Sequence, residues 1–132
     1  MRFDRVTIVN IRLPRRADIN TELQWFGGAL GLFGDRDKDS SCFRIFVALV
    51  RATRNNQGLS SDDIAQQTTL TRGTVVHHLN KLQDAGLVTH NELRYHLVGN
   101  SLQSALKNVH EEINDAFTVL DAVAKDIDEK LH

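Results

Sequence analysis

Residues 71–88 read Thr-Arg-Gly-Thr-Val-Val-His-His-Leu-Asn-Lys-Leu-Gln-Asp-Ala-Gly-Leu-Val, and their spacing predicts one short helix with a dry side and a wet side. Val75, Leu79 and Leu82 recur at intervals of four and three, which stacks them on one face because an α-helix turns once every ~3.6 residues. Gly73, His77, Asn80, Lys81 and Asp84 fall on the opposite side. Thr71 has the short hydroxyl side chain that accepts a hydrogen bond from a free first-turn amide, and Gly86 is the residue that tolerates a left-handed exit. The helix therefore begins and ends inside the quoted stretch, over about residues 71–85. Its outer face is polar, small and partly cationic, a composition suited to touching DNA.

The flanks complete a pattern. Upstream, residues 59–70 read Leu-Ser-Ser-Asp-Asp-Ile-Ala-Gln-Gln-Thr-Thr-Leu, a shorter helix capped by Ser60 or Ser61 with Ile64 and Ala65 turned inward. A three- or four-residue turn around Leu70 joins it to the next helix. This is helix-turn-helix spacing, in which the second helix is free to lie in a major groove. Downstream, Leu87 and Val88 lead to a polar tip at His90-Asn91-Glu92, after which Leu93, Tyr95 and Leu97 alternate with Arg94 and His96. A period of two implies a two-stranded hairpin, or wing, over residues 87–98. Residues 42–53 carry Phe43, Phe46, Val47, Leu49 and Val50 and read as the first helix of the unit. Arg51 and Arg54 near its end complement the negative pole of the helix dipole, with a phosphate contact as the functional alternative.

Residues 43–98 resemble the winged-helix domain of bacterial and archaeal transcriptional regulators of the ArsR type. The run Thr-Val-Val-His-His-Leu-Asn-Lys-Leu-Gln-Asp-Ala-Gly-Leu-Val is similar to that family's recognition helix and the start of its wing. MarR-like regulators share the same skeleton and are the nearest alternative. The resemblance covers somewhat under half of the chain. It implies a homodimer that binds a twofold-related site on double-stranded DNA, with repression favoured over activation. Metal sensors of the ArsR type carry an Asp-x-His pattern on the C-terminal helix, which reads Asn108-Val109-His110 here, near Glu111, Glu112 and Asp121. The family's thiolate motif has no counterpart, since Cys42 is the single cysteine. No metal and no cofactor is expected.

The expected DNA-binding set is Thr71, Arg72, Gly73, Thr74, His77, Lys81 and Arg94. Arg reads guanine through two parallel hydrogen bonds, Thr contacts a thymine methyl or a phosphate, and Lys anchors a phosphate. Gly73 leaves room for the helix N-terminus to approach a phosphate. At the wing, Arg94 with His90 or Asn91 meets the backbone or the neighbouring minor groove. Arg12, Arg15 and Arg16 form a second basic cluster, readable as a DNA arm or as a solvated charge run. His77 and His78 do not chelate one ion, because adjacent helical residues point about 100° apart. His78, beside the buried stripe, reads as a packing residue.

The net charge of −1 is low for a nucleic-acid binder until it is divided along the chain. Residues 1–40 hold seven Lys/Arg and six Asp/Glu, residues 41–100 six and four, and residues 101–132 three and seven. The local balances are +1, +2 and −4, so the acidity sits at the C-terminal end. So small a basic excess favours a dimer, in which two half-sites double the phosphate contacts. No run approaches the ~18 apolar residues of a membrane span, and the N-terminus lacks the apolar stretch of a signal peptide. A cytoplasmic protein is expected. A lone cysteine permits no intrachain disulfide and no CxxC zinc site.

Outside the winged unit, residues 3–13 mix β-branched and polar residues and read as an extended arm or edge strand ending at Pro14. Asp18 or Asn20 caps a helix in which Ile19, Leu23, Phe26, Leu30 and Phe33 recur at intervals of four and three. Three glycines, Gly27, Gly28 and Gly31, weaken it, so packing must support it. Residues 34–41 form a charged connection. Residues 101–132 hold no Gly or Pro, and Leu102, Leu106, Val109, Ile113, Ala116, Leu120, Val123 and Ile127 make an unbroken heptad seam. Dimerisation is expected through Leu102, Leu106, Val109, Ile113, Leu120, Val123 and Ile127. An intramolecular hairpin with the helix at residues 19–33 is the alternative.

The fold class that follows is mostly α with a small β-hairpin wing: a winged helix-turn-helix with a long C-terminal dimerisation helix. Residues 1–40 form an N-terminal arm and helix, 41–100 the DNA-binding unit and 101–132 the coiled-coil-like helix. No phosphate loop, HExxH or nucleophile-base arrangement points to an enzyme. A winged-helix module that holds a protein partner is the competing function. The aromatics and glycines of residues 23–33 are readable as a small-molecule pocket or as simple core.

Overall fold

The computed structural model describes residues 5–9, 12, 18–33 and 40–132. Its elements run α1 (Ile19–Ala29), α2 (Ser41–Arg54), α3 (Ser61–Thr68), α4 (Arg72–Asp84), β1 (Val88–Asn91), β2 (Arg94–Leu97), a single 3-10 turn (Val98–Asn100) and α5 (Leu102–Leu131). No helix among the described residues is long and apolar enough to cross a membrane.

Helices α3 and α4 each start where a side chain satisfies a free first-turn amide, whereas α2 begins after Ser40 with no side-chain cap. Ser60 caps α3 in a reciprocal box: the Asp63 amide donates to the Ser60 hydroxyl at 3.0 Å, and the Ser60 amide donates to the Asp63 carboxylate at 3.1 Å. Thr71 caps α4 by accepting from the Thr74 amide at 3.2 Å. Gly86, at φ 81°, ends α4. The Gly86 amide donates to the Gln83 carbonyl and the Leu87 amide to the Leu82 carbonyl, the paired bonds of a Schellman exit that satisfy otherwise free carbonyls. Ile64, Val75, Leu79 and Leu82 are fully buried against Ile45, Phe46 and Leu49 of α2 in one core, so the caps aim the apolar stripes at a common centre.

The hairpin pairs Val88 with Leu97, Thr89 with His96, His90 with Tyr95 and Asn91 with Arg94. His90 and Asn91 are therefore strand residues rather than tip residues, and the turn consists of Glu92 and Leu93. Glu92 adopts φ 58°, which suits a two-residue connection between twisted strands. Leu93 does not share the inward face of Tyr95 and Leu97 as its alternation suggests: it stands at the corner, 81% exposed. Leu59 adds a third short rung, with its amide donating to the Tyr95 carbonyl and its carbonyl accepting from the Tyr95 amide.

At the N-terminal side, the helix expected over residues 19–33 stops at Ala29. Leu30 closes it, and Gly31 turns to φ 69°. That reversal drops Leu32, outside the anticipated stripe, into the core at 2% exposure, while Ile19 at the first helical position is 70% exposed. The Phe33 ring folds back against Gly27, where a Cβ would lie 1.9 Å from a ring carbon, and packs edge-on to Phe43 and Phe46. This close approach gives Gly27 a packing role in the aromatic cluster. Residues 5–9 carry no regular secondary structure. Arg12 is described and exposed; the rest of the expected arm, Arg15 and Arg16, and residues 34–39 of the charged connection lie outside the described residues.

Helix α5 divides in two. Ala105 and Val109 are buried in the core, with Leu102 and Ile113 packed against it, whereas every residue beyond Ala116 is exposed. The expected seam is therefore shared between two tasks. Val109, at 3% exposure, belongs to the protomer's own core, and the distal seam does not.

Candidate nucleic-acid interface

The outward face of α4 is built by the burial of its opposite side. With Val75, Leu79 and Leu82 inside, Arg72, Gly73, His77 and Asn80 are left exposed. Thr71 and Thr74 are partly engaged with each other: besides the cap, the two hydroxyls lie 2.8 Å apart in a hydrogen bond. This fixes the first turn and its free amides at the end of the helix that carries positive partial charge. A Cβ placed on Gly73 would meet nothing within 4 Å, so no contact within the protein requires glycine there.

Arg72 lies 3.7 Å from Asp62 across the helix-turn-helix, with both side chains more than 70% exposed. An exposed pair at this distance contributes about 0–1 kcal/mol, so Arg72 can exchange Asp62 for another anion at small cost. Arg94 is held more firmly. Its guanidinium donates to the Gly58 carbonyl at 2.9 Å and lies 3.7 Å from the Asp63 carboxylate. Arg94 thus ties the wing to the start of α3 while its side chain stays 65% exposed. The Ser60 amide, then the Ser60 side chain, hold the Asp63 carboxyl below its ordinary value of 3.8, and the Arg94 charge adds to the effect.

Lys81 stands apart from the rest of the expected set. Its ammonium donates to the Leu32 carbonyl at 2.8 Å and faces the loop after α1 rather than the centre of the outer face. The fold gathers Thr71, Arg72, Gly73, Thr74 and His77 on the first half of α4, holds Arg94, at the turn end of the wing, against the start of α3, and turns Lys81 toward the N-terminal layer. His77 and His78 lie with ring centroids 5.2 Å apart, His77 exposed and His78 half-buried.

Residues 39–91 match a family model described as a helix-turn-helix domain. The match spans α2, α3, the turn, α4 and the first strand of the wing. A crystal structure of ligand-free NadR matches with 23% sequence identity over 87% of this chain and 93% of that chain, at a TM-score of 0.40. No curated protein matches the chain.

Sequence reasoning missed four contributors to this site. Gly58 and Leu59 anchor the wing through Arg94 and Tyr95, yet neither carries a pattern that announces it. Thr53, buried at the end of α2, accepts from the Leu97 amide at 3.2 Å. A threonine amid the apolar residues of a helix end was the available signal. Arg44 donates from its guanidinium to the Thr68 carbonyl, which ties α2 to the last residue of α3 beside the turn.

Proposed function

We propose that the chain is a sequence-specific, double-stranded-DNA-binding transcriptional regulator of the ArsR type that works in the cytoplasm as a homodimeric repressor. The observation that carries the reading is the first half of α4: Arg72, Gly73 and His77 stand outward on a helix within a matched helix-turn-helix domain. In this arrangement α4 lies in the major groove, Arg72 reads a base edge or holds a phosphate, and the helix N-terminus at Gly73 approaches the backbone. Arg94, at the turn end of the wing, contacts the backbone, and repression follows from occupying DNA that polymerase needs.

Support for the homodimer comes from the distal half of α5. Phe117, Leu120, Val123, Ile127 and Leu131 are each at least half exposed, and they recur at helical spacing along a helix about 45 Å long. A second copy would cover that stripe and set the two α4 helices on half-sites related by a twofold axis.

Selection of bound duplexes from a random pool tests the reading. Enrichment of an inverted repeat with half-sites about 34 Å apart, or a multiple of that, is expected. Arg72→Ala should weaken binding to the winners and relax preference at one position in each half-site. A pool that enriches nothing would overturn the assignment. The acidic C-terminal segment, at three Lys/Arg against seven Asp/Glu, favours a second reading in which the winged unit holds a protein partner. Failure to enrich any duplex would turn attention to it.

A further inference from the structure

The outer face of α4 is open along its first half and walled along its second. Residues 5–9 run past its C-terminal end: the Arg5 amide donates to the Asp84 carbonyl at 3.1 Å, and the Val9 amide donates to the Ala29 carbonyl at 2.8 Å. Val6 packs against the core between these two anchors. The Lys81 bond to Leu32 draws the loop after α1 to the other flank. Together they enclose a cleft of about 550 Å³ whose lining includes Arg5, Thr7, His77, Asn80, Lys81 and Asp84.

The chemistry of this cleft is that of an anion site. Two cations face one carboxylate, and Thr7, His77 and Asn80 bring further hydrogen-bonding groups to the same space. Asp84 and the C-terminal pole of α4 are the bland partners for Arg5. However, it is the Arg5 backbone amide that meets the Asp84 carbonyl, and no carboxylate among the described residues forms an ion pair with the guanidinium. Position then selects the anion. A helix of 13 residues is about 20 Å long, whereas the major groove is about 12 Å wide. Laid in the groove with Arg72 and Arg94 at one backbone, α4 brings its other end to the opposite backbone.

We propose that this cleft is a second phosphodiester site, in which the Arg5 guanidinium binds a backbone phosphate at the C-terminal end of the recognition helix. Lys81, already held by Leu32, adds its charge to the site, and His77 and Asn80 form its floor. The N-terminal segment is thereby part of the DNA-binding surface. This inference rests on the DNA-binding reading above.

The test compares Arg5→Ala, Arg5→Lys and Arg72→Ala with the unaltered full chain on one selected duplex and one unrelated duplex across a salt series. Arg5→Ala should bind both duplexes about 3- to 10-fold more weakly at ~0.15 M salt. It should also lower the slope of log K against log salt by about 1, as expected for losing one phosphate contact. Arg5→Lys should keep the slope, and the far-UV circular dichroism of both variants should match the unaltered chain, because Arg5 is exposed. Unchanged affinity and slope in Arg5→Ala, alongside weakened binding in Arg72→Ala, would overturn the second site and leave the DNA reading standing. No binding of any duplex by the unaltered chain would overturn both. Sodium pyrophosphate, titrated without DNA at fixed ionic strength, separates the phosphate sources. Arg5-dependent shifts of the His77 and Asn80 amide resonances, with DNA binding indifferent to Arg5, would assign the cleft to a free anion and refute the proposal.

Discussion

At the scale of single residues, Gly73 separates folding from binding. Glycine inside a helix costs about 0.5–1 kcal/mol relative to alanine, and the space around its missing Cβ is empty. Gly73→Ala should therefore raise stability by about that amount in denaturant titrations and at the same time weaken DNA binding, because the new methyl occupies the approach of a phosphate to the helix N-terminus. Stability and affinity rising together would remove Gly73 from the interface. The Ser60–Asp63 box carries a pH signature. Hydrogen bonds from Ser60 depress the Asp63 carboxyl below 3.8, so its contribution to stability is fully present above that value and lost as pH falls through the lower native one. The Ser60 amide resonance should titrate below pH 3.8 in the unaltered chain and show no such step in Asp63→Asn. A step at or above 3.8 in the unaltered chain would contradict the box. The caps at Ser60 and Thr71 and the exit at Gly86 are legible in sequence because each depends on residues three to five apart. The Lys81 bond to Leu32 spans 49 positions, and no local pattern encodes it.

At the scale of elements, the N-terminal layer departs furthest from its sequence pattern, and the aromatic cluster gives the reason. Apolar residues at intervals of four and three extend to Phe33, but Gly31 reverses the chain and Phe33 returns to cover Gly27. Periodicity predicts which residues share a face while the helix lasts; it is silent on where a glycine lets the chain fold back. Gly27→Ala should destabilise the protein by about 1–3 kcal/mol, the usual cost of forcing a methyl into a packed core, since the Phe33 ring must leave its contacts with Phe43 and Phe46. Gly28→Ala is the control: with open space at its Cβ it should gain the helix-propensity difference of about 0.5–1 kcal/mol, and equal loss in both variants would exclude the Phe33 contact as the cause. The wing shows the same limit: alternation placed Tyr95 and Leu97 correctly and misplaced Leu93, because the two-residue turn includes Leu93 and β2 begins only at Arg94.

For the whole molecule, one core joins all three segments: Leu23 and Leu32 from the N-terminal layer, the three helices and hairpin of the winged unit, and Ala105 and Val109 from α5. The N-terminal layer and the base of α5 are therefore structural parts of the winged unit. The heptad seam was legible in sequence over its full length, but the repeat does not state which turns face the protomer's own core and which face outward. Phe117 and Leu131 widen the exposed distal stripe beyond the strict seam. A double substitution, Leu120→Glu with Val123→Glu, should shift the protein to monomer in sedimentation equilibrium with its helicity retained, because neither side chain contributes to the core. It should also weaken binding to an inverted repeat far more than to a single half-site. A variant that remains dimeric would exclude the distal stripe as the main interface. By itself the sequence determined the helix-turn-helix, its caps, the wing and the length of the last helix, since all are written in contacts between near neighbours. Only the tertiary structure decided that Lys81 is turned aside to Leu32, that Arg5 stands at the end of the recognition helix, and that α5 divides between core and surface. Those outcomes depend on segments distant in the chain meeting over one core, and local periodicity carries no record of such meetings.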